Sequence, residues 1–159
     1  MKAVSIILSL ILFLMLAFGA FFFAGSTLQT QVSCIRAEAS QYPDAFDSIR
    51  SIVSSGSAPR QFVADDLSDP AGYALLDVNI TLTNRGIFDA EWLNIQVEPA
   101  EGDIAVYSLS GDSADVPARS AGQINLKLVT RASQASVRTV TIQYYVYGIS
   151  RTVKITNVG

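Results

Sequence analysis

Enzyme chemistry needs side chains that shuttle protons, attack carbon or phosphorus, or hold metals, and this sequence is short of them. There is no histidine among its 159 residues and a single cysteine, Cys34. That removes the commonest general base and the commonest transition-metal ligand together. Ser-His-Asp and Cys-His arrangements are excluded. A Ser-Lys pair is formally available through Lys127 or Lys154. Both lysines alternate with apolar neighbours, so they read as the solvated side of a strand. Acidic residues gather as Asp65, Asp66 and Asp69, as Asp89 and Glu91, and as Asp112 and Asp115. Calcium takes six to eight oxygens, and none of these groups has the EF-hand spacing of glycine and terminal glutamate. They read as solvated turn residues. No catalytic residue, metal ligand or cofactor site is expected.

Two further motifs are bland. Asn79-Ile80-Thr81 fits the N-glycosylation pattern but falls inside an expected strand rather than a loop. With one cysteine there is no internal disulfide. Gln31, Val32 and Ser33 before Cys34 do not form a lipobox. A free thiol near the membrane is the plain reading of Cys34, and a disulfide between two copies is the alternative. The aromatics are more suggestive. Tyr145 and Tyr147 are two residues apart. In a strand they share a face, about 7 Å apart, opposite Tyr144 and Val146. Tyrosine offers large apolar area with a polar tip, so this pair is the candidate partner surface.

The elements that position these residues begin with the N-terminus. Residues 3–24 are 22 nearly continuous apolar residues, interrupted by Ser5, Ser9 and Gly19. About 20 such residues span the hydrocarbon core of a bilayer. Ile6, Leu10, Phe13, Leu16 and Phe21 mark the expected span. A signal peptide needs an apolar region of only about 7–15 residues, so an uncleaved anchor is expected, with the Ala24-Gly25-Ser26 step as a weak cleavage site. Lys2 precedes the span, and no charge follows it until Arg36. The positive-inside bias then places the N-terminus in the cytoplasm and the rest outside. After Lys2 come ten basic and fourteen acidic residues. A mildly acidic exported part argues against nucleic acid, and against purely electrostatic adhesion to anionic lipid.

Beyond the span, residues 26–60 read as a juxtamembrane stalk carrying one short helix. Pro43 and Asp44 suit a helix start, Phe46, Ile49 and Val53 form an apolar stripe, and Ser55-Gly56 supplies a stop. Residues 61–159 then show a period of two. Leu76, Val78, Ile80 and Leu82 form one apolar row, and Leu93, Ile95 and Val97 a second. Ile124, Leu126 and Leu128, then Val140, Ile142, Tyr144 and Val146, then Val153 and Ile155 supply three more. Weaker strands are expected near 61–64 and 104–109. Gly86, Gly102, Gly111, Gly122 and Gly148 punctuate the rows, and Gly148 lies in an expected terminal hairpin. The prediction is a mainly β protein. It comprises an immunoglobulin-like antiparallel sandwich of about six or seven strands behind a transmembrane helix and a short amphipathic helix.

The run from Leu76 through Asn84-Arg85-Gly86, a second strand at 91–97 and an Ala121-Gly122 step before the next strand carry a resemblance. Over residues 73–157 the chain resembles immunoglobulin-like accessory domains of the LEA-14/WHy type and CARDB-like adhesion modules. The LEA-14 type usually has Asn-Pro where this chain has Asn84-Arg85, which keeps both types open. The resemblance implies a small non-catalytic sandwich that binds or spaces something. The expectation is therefore a single-pass cell-membrane protein whose extracytoplasmic sandwich is an accessory module of the cell envelope. Its partners would be the bilayer, through the N-terminal helix, and an envelope protein. Two alternatives remain: a pilus-like, filament or archaellum-stator-like subunit with the apolar helix as assembly core, and a binder of lipid or another apolar ligand.

Overall fold

The computed structural model describes residues 2–25, 27–133 and 137–158. Ser26, within the weak cleavage step, lies outside the described residues. Helix α1 (Lys2–Gly25) is followed by strand β1 (Gln29–Glu38), a 3-10 turn at Ala39–Gln41 and helix α2 (Pro43–Ser54). Strands β2 (Arg60–Gln61), β3 (Tyr73–Thr83), β4 (Ala90–Glu98), β5 (Asp103–Ser110), β6 (Ala121–Arg131), β7 (Arg138–Val146) and β8 (Ile149–Val158) complete the chain. One sheet has the order β1-β3-β6-β5-β2 and the other β4-β7-β8, with antiparallel pairing throughout. The fold is a mainly β, immunoglobulin-like sandwich, as expected, with eight strands among the described residues where about six or seven were expected.

The alternating rows are its core. In β3 every second residue from Ala74 to Leu82 is buried, and β7 repeats this from Val140 to Val146. Leu76, Val78, Ile80 and Leu82 meet Ile95, Val140, Ile142 and Tyr144 across the sandwich. Their outward neighbours stay half-buried and polar. Asn125 Nδ2 donates to Asp77 Oδ1 at 3.0 Å and to Asn79 Oδ1 at 2.9 Å, and Lys127 lies 3.3 Å from the Asp77 carboxylate. The glycosylation sequon is thus inside a central strand, with the Asn79 amide engaged in this polar ladder.

Helix α2 covers part of the other face of the five-stranded sheet. Its stripe of Phe46, Ile49 and Val53 is buried among Leu67, Ile104, Ala105 and Val129. Arg50 of the same helix donates to the Leu67 carbonyl at 2.6 Å and the Ser68 carbonyl at 3.0 Å. The expected helix therefore packs its apolar stripe on the sandwich.

The rest of the expected stalk needs correcting. Residues 29–38 are not a tether: β1 pairs with β3 in register from Gln29↔Thr83 to Glu38↔Ala74. An edge strand need bury little side-chain area, because the backbone ladder on one side holds it. Only Val32 and Ala37 of β1 are even half-buried. The apolar period that reveals β3 and β7 is therefore missing from β1.

One buried ion pair joins the two sheets. Arg138 opens β7 and Asp103 opens β5, and both side chains are fully buried. The guanidinium grips the carboxylate through two bonds, Nε to Oδ2 at 2.7 Å and a second, shorter one to Oδ1. Asp103 Oδ2 also accepts the Ala100 N–H at 2.8 Å. Removing one member strands the other charge in a dry interior, which costs about 3–5 kcal/mol. Asp103→Ala should therefore lower the free energy of urea unfolding of the full chain in detergent by about 3–5 kcal/mol, whereas Lys154→Ala, which breaks an exposed pair with Glu98, should change it by less than about 1 kcal/mol.

The strand register makes a second prediction. Ile80, Leu126 and Ile142 are fully buried, whereas Thr81, Lys127 and Thr141 alternate with them. Ile80→Ala, Leu126→Ala and Ile142→Ala should each cost about 2–5 kcal/mol in the same assay. Alanine at the three neighbours should cost about 0.5 kcal/mol or less. Equal losses in both sets would contradict the register.

Candidate functional site

One end of the sandwich collects the residues that face outward and carry apolar area. The β3–β4 loop, the segment between β5 and β6, the β7–β8 turn and the start of β1 all meet there. Asn84 organises it. Buried at the end of β3, its side-chain amide donates to the Phe88 carbonyl at 2.9 Å and the Val116 carbonyl at 3.0 Å. Its Oδ1 accepts the Gly86 N–H at 2.9 Å. Asparagine suits this place because its short amide bonds local backbone on both sides of a turn. Gly122 permits the same closure: a Cβ there would come 2.8 Å from Val116 Cγ2.

Tyr145 and Tyr147 are both at this end, but not side by side on a strand face. Strand β7 ends at Val146, which pairs with Ile149, so Tyr147 and Gly148 form a two-residue hairpin turn. Both have positive φ, 51° and 75°. Two successive left-handed residues are the signature of a type I′ turn, whose twist matches that of the flanking strands. Tyr145 stays on the strand, with its ring edge-on to Trp92 at 6.2 Å. Tyr147 swings to Phe88, 5.3 Å away, and is 75 % exposed. The sequence spacing alone does not reveal this split, because a period of two assumes that the strand continues.

Trp92 is the aromatic the sequence reading passed over. It lies at a bulge in β4 between Glu91 and Asn94, with φ of 52°, and is 72 % exposed. The bulge turns its side chain outward. Its only legible signal was the lone tryptophan beside a strand.

Helix α1 joins the same end. All of its described side chains from Val4 to Phe18 are exposed, including Ile6, Leu10, Phe13 and Leu16, and Phe21 beyond them is exposed too. Residues Val4–Phe22 are long and apolar enough to cross a membrane. Phe22 packs edge-on against Phe88 at 5.5 Å. Leu28 is buried, and its N–H donates to the Tyr144 hydroxyl at 3.0 Å. An apolar recess of about 80 Å³ lies between Phe21 and Phe22 on the helix and Ile87 and Phe88 on the sandwich. Ligand pockets run to roughly 300–1,000 Å³, so this recess is a joint between elements rather than a lipid cavity.

The acidic loops are structural. Asp115 accepts the Trp92 N–H at 2.8 Å and Asp112 the Ile95 N–H at 3.0 Å. Leu93 N–H also donates to the Ala114 carbonyl at 3.1 Å, and the Arg60 guanidinium reaches the Ile95 carbonyl. The outer edge of β4 is thereby covered from Ala90 to Ile95, which removes a template for strand addition. Asp89 holds the Ala118 N–H at 2.7 Å. At the opposite end, Asp65 accepts the Leu67 N–H at 3.0 Å, a short bond from the Tyr73 hydroxyl, and Arg131 Nη2 at 3.1 Å. Asp65 and Tyr73 line an open cleft of roughly 660 Å³ with Asp66, Asp69 and Arg131. Among the described residues, no group of three or more Cys, Asp or Glu is arranged to hold a metal ion.

Cys34 lies exposed on the edge strand β1. Partial desolvation pushes its thiol above the ordinary range, against the pull of Arg138 and Arg36. That disfavours the thiolate, the reactive form.

No family model matches the chain, and no curated protein matches it. The resemblance to the LEA-14/WHy and CARDB-like modules therefore stands on sequence features alone. Among solved structures the chain is similar to the GAE domain of yeast GGA1, at 14 % identity over 61 % of this chain and 95 % of that one, with a TM-score of 0.43. It is similar to the structural-genomics target SoR45 at 13 % identity over 83 % and 86 %, TM-score 0.48. The GAE domain of GGA2p from Saccharomyces cerevisiae follows at 11 % identity over 64 % and 98 %, TM-score 0.41.

The Asp65–Tyr73 pair yields a pH prediction. Burial first, then the hydrogen bond and charge of Asp65, push the Tyr73 hydroxyl up from 10.0 to about 12. Desolvation pushes Asp65 up, but its bonds from Tyr73, the Leu67 N–H and Arg131 outweigh this and hold it below the usual range. A raised tyrosine pKa stabilises the fold below the unfolded value, and that contribution is lost as pH rises from about 10 to about 12. In a tyrosinate absorbance titration, the component that disappears in Tyr73→Phe should ionise near pH 12. Asp65→Asn should move it back toward 10.

Proposed function

We propose that this chain is a non-enzymatic interaction module held at the outer face of a cell membrane by α1, with its sandwich presented to a protein partner of the envelope. The observation that carries this reading is α1 itself. It is a 24-residue apolar helix whose described side chains are almost all exposed, and its last turn packs on the sandwich through Phe22 and Phe88. Water is a costly environment for so much apolar surface: each fully exposed Leu, Ile or Phe forgoes about 1.5–3 kcal/mol of burial free energy. A bilayer removes that cost. The lack of charge between Lys2 and Arg36 supports a cytoplasmic N-terminus.

The partner reading is supported by the sheet edges. The β4 edge is covered from Ala90 to Ile95 and β2 is two residues long, but β1 and β8 are ten residues each and end their sheets, approaching each other along part of their length. The part of such an edge that stays unpaired offers a backbone ladder to an extended segment of another protein. Non-enzymatic action is supported by the missing histidine and by the use of the acidic loops as backbone acceptors.

In membranes from cells producing the full chain, the protein should resist alkaline carbonate extraction and retain Lys2 at or next to its N-terminus. Protease added to intact cells should digest the sandwich. Release by carbonate, or a mature N-terminus near residue 26, would refute the anchor. A protected sandwich would reverse the orientation.

A further inference from the structure

We infer that the loop end of the sandwich, built from residues 84–90, 117–120 and 147–149, is seated in the phospholipid headgroup layer of the membrane that α1 crosses. This rests on the anchor reading above and adds a second membrane contact, made by the β domain itself.

The first ground is reach. Helix α1 ends at Gly25 and β1 begins at Gln29, so three residues join them. Three residues span about 10 Å at full extension. Leu28 is not free to extend, because it is buried and hydrogen-bonded to Tyr144. The second ground is contact. Phe22, the last residue of the apolar span Val4–Phe22, touches Phe88 at 5.5 Å between ring centroids. The headgroup region adds roughly 5–8 Å on each side of the hydrocarbon core. If Phe22 lies at the hydrocarbon boundary, Phe88 lies within that layer, and the Tyr147 ring is 5.3 Å from that of Phe88.

The third ground is composition. Ile87, Tyr147 and Ile149 are exposed here, at 44 %, 75 % and 43 %, and Trp92 with Tyr145 forms the next aromatic pair along the strands. Exposed aromatic and aliphatic side chains clustered beside a membrane span are the pattern of an interfacial belt. Arg85 and Arg119 line one recess at this end, and guanidinium groups suit lipid phosphates. The acidic residues nearby are Asp89, Glu91, Asp112 and Asp115, and the Asp89, Asp112 and Asp115 carboxylates are turned to the N–H groups of Ala118, Ile95 and Trp92. With no excess of positive charge, the seat suits zwitterionic phospholipid and does not depend on anionic lipid.

The test uses the full chain reconstituted in phosphatidylcholine vesicles. Trp92, the one tryptophan in the sequence, is replaced by Phe, and a single reporter tryptophan is installed as Tyr147→Trp, as Ile87→Trp or, at the distal β4–β5 turn, as Glu101→Trp. Emission is compared in vesicles with and without phosphatidylcholine carrying a nitroxide on its headgroup, after flotation and a circular dichroism check of each variant. Tyr147→Trp and Ile87→Trp should be blue-shifted and should lose about half their emission to the labelled lipid, as expected for an interfacial ring, while Glu101→Trp stays unquenched. Either of the first two suffices if the other misfolds. Protein that floats with the vesicles but shows reporters at 147 and 87 no more quenched than at 101 would overturn the seat and leave the anchor standing. Protein that fails to float would overturn both.

Discussion

The pairing of Arg138 with Asp103 is the constraint on which the sandwich geometry depends. Each residue begins a strand in a different sheet, and each charge is buried completely. A bidentate guanidinium–carboxylate bond tolerates little change in distance or angle. It therefore sets the spacing of β5 and β7 at the end remote from α1, and through the Val158 carbonyl, 3.5 Å from Arg138 Nη1, it also reaches the last residue of β8. Apolar packing alone would hold the sheets together but would permit them to slide, since Leu, Ile and Val rows interdigitate in more than one register. A buried charge pair permits one. A well-packed apolar replacement would be at least as stabilising, whereas loss of one member leaves the other charge buried and unpaired.

The near end is closed by different means. Asn84 ties the β3–β4 loop to Val116 and Phe88, and Asp89, Asp112 and Asp115 bond backbone N–H groups of neighbouring segments. These side chains leave their apolar neighbours free to face outward. Ile87 and Tyr147 are exposed because the backbone around them is satisfied without their help. A hydrophobic patch on a soluble domain is normally a liability. Beside an exposed apolar helix it becomes a continuation of the same surface, and the ring sequence Phe22, Phe88, Tyr147 makes that continuity physical.

Much of this was legible in the sequence, for a specific reason. Strands with one buried and one solvated face must alternate, so β3, β6 and β7 announce themselves through Val78, Leu126 and Ile142. Helix α2 was visible in the same way, through Phe46, Ile49 and Val53. Strand β1 was not, because an edge strand buries almost none of its side chains. The ion pair was not, because Asp103 and Arg138 are 35 residues apart and neither carries a local pattern. The separation of Tyr145 from Tyr147 was hidden by one residue of strand length. Gly148 marked the turn, but whether the turn holds Tyr147 depends on where the pairing of Val146 with Ile149 stops.

The two ends of the sandwich therefore differ in chemistry, and the difference has a direction. Asp65, Asp66, Asp69, Glu98 and Glu101 are gathered in the far loops, and only part of that charge is offset by Arg131 and Lys154. Exposed aromatic and aliphatic side chains are gathered at the end beside α1. On the proposed topology the apolar end, continuous with α1, suits a hydrated interface, and the far loops keep their carboxylates in bulk water. The edge strands β1 and β8 both run from the end beside α1 to the far loops, since β1 starts at Gln29 beside Thr83 and ends at Glu38 beside Ala74, and β8 runs from the Ile149 turn to Val158.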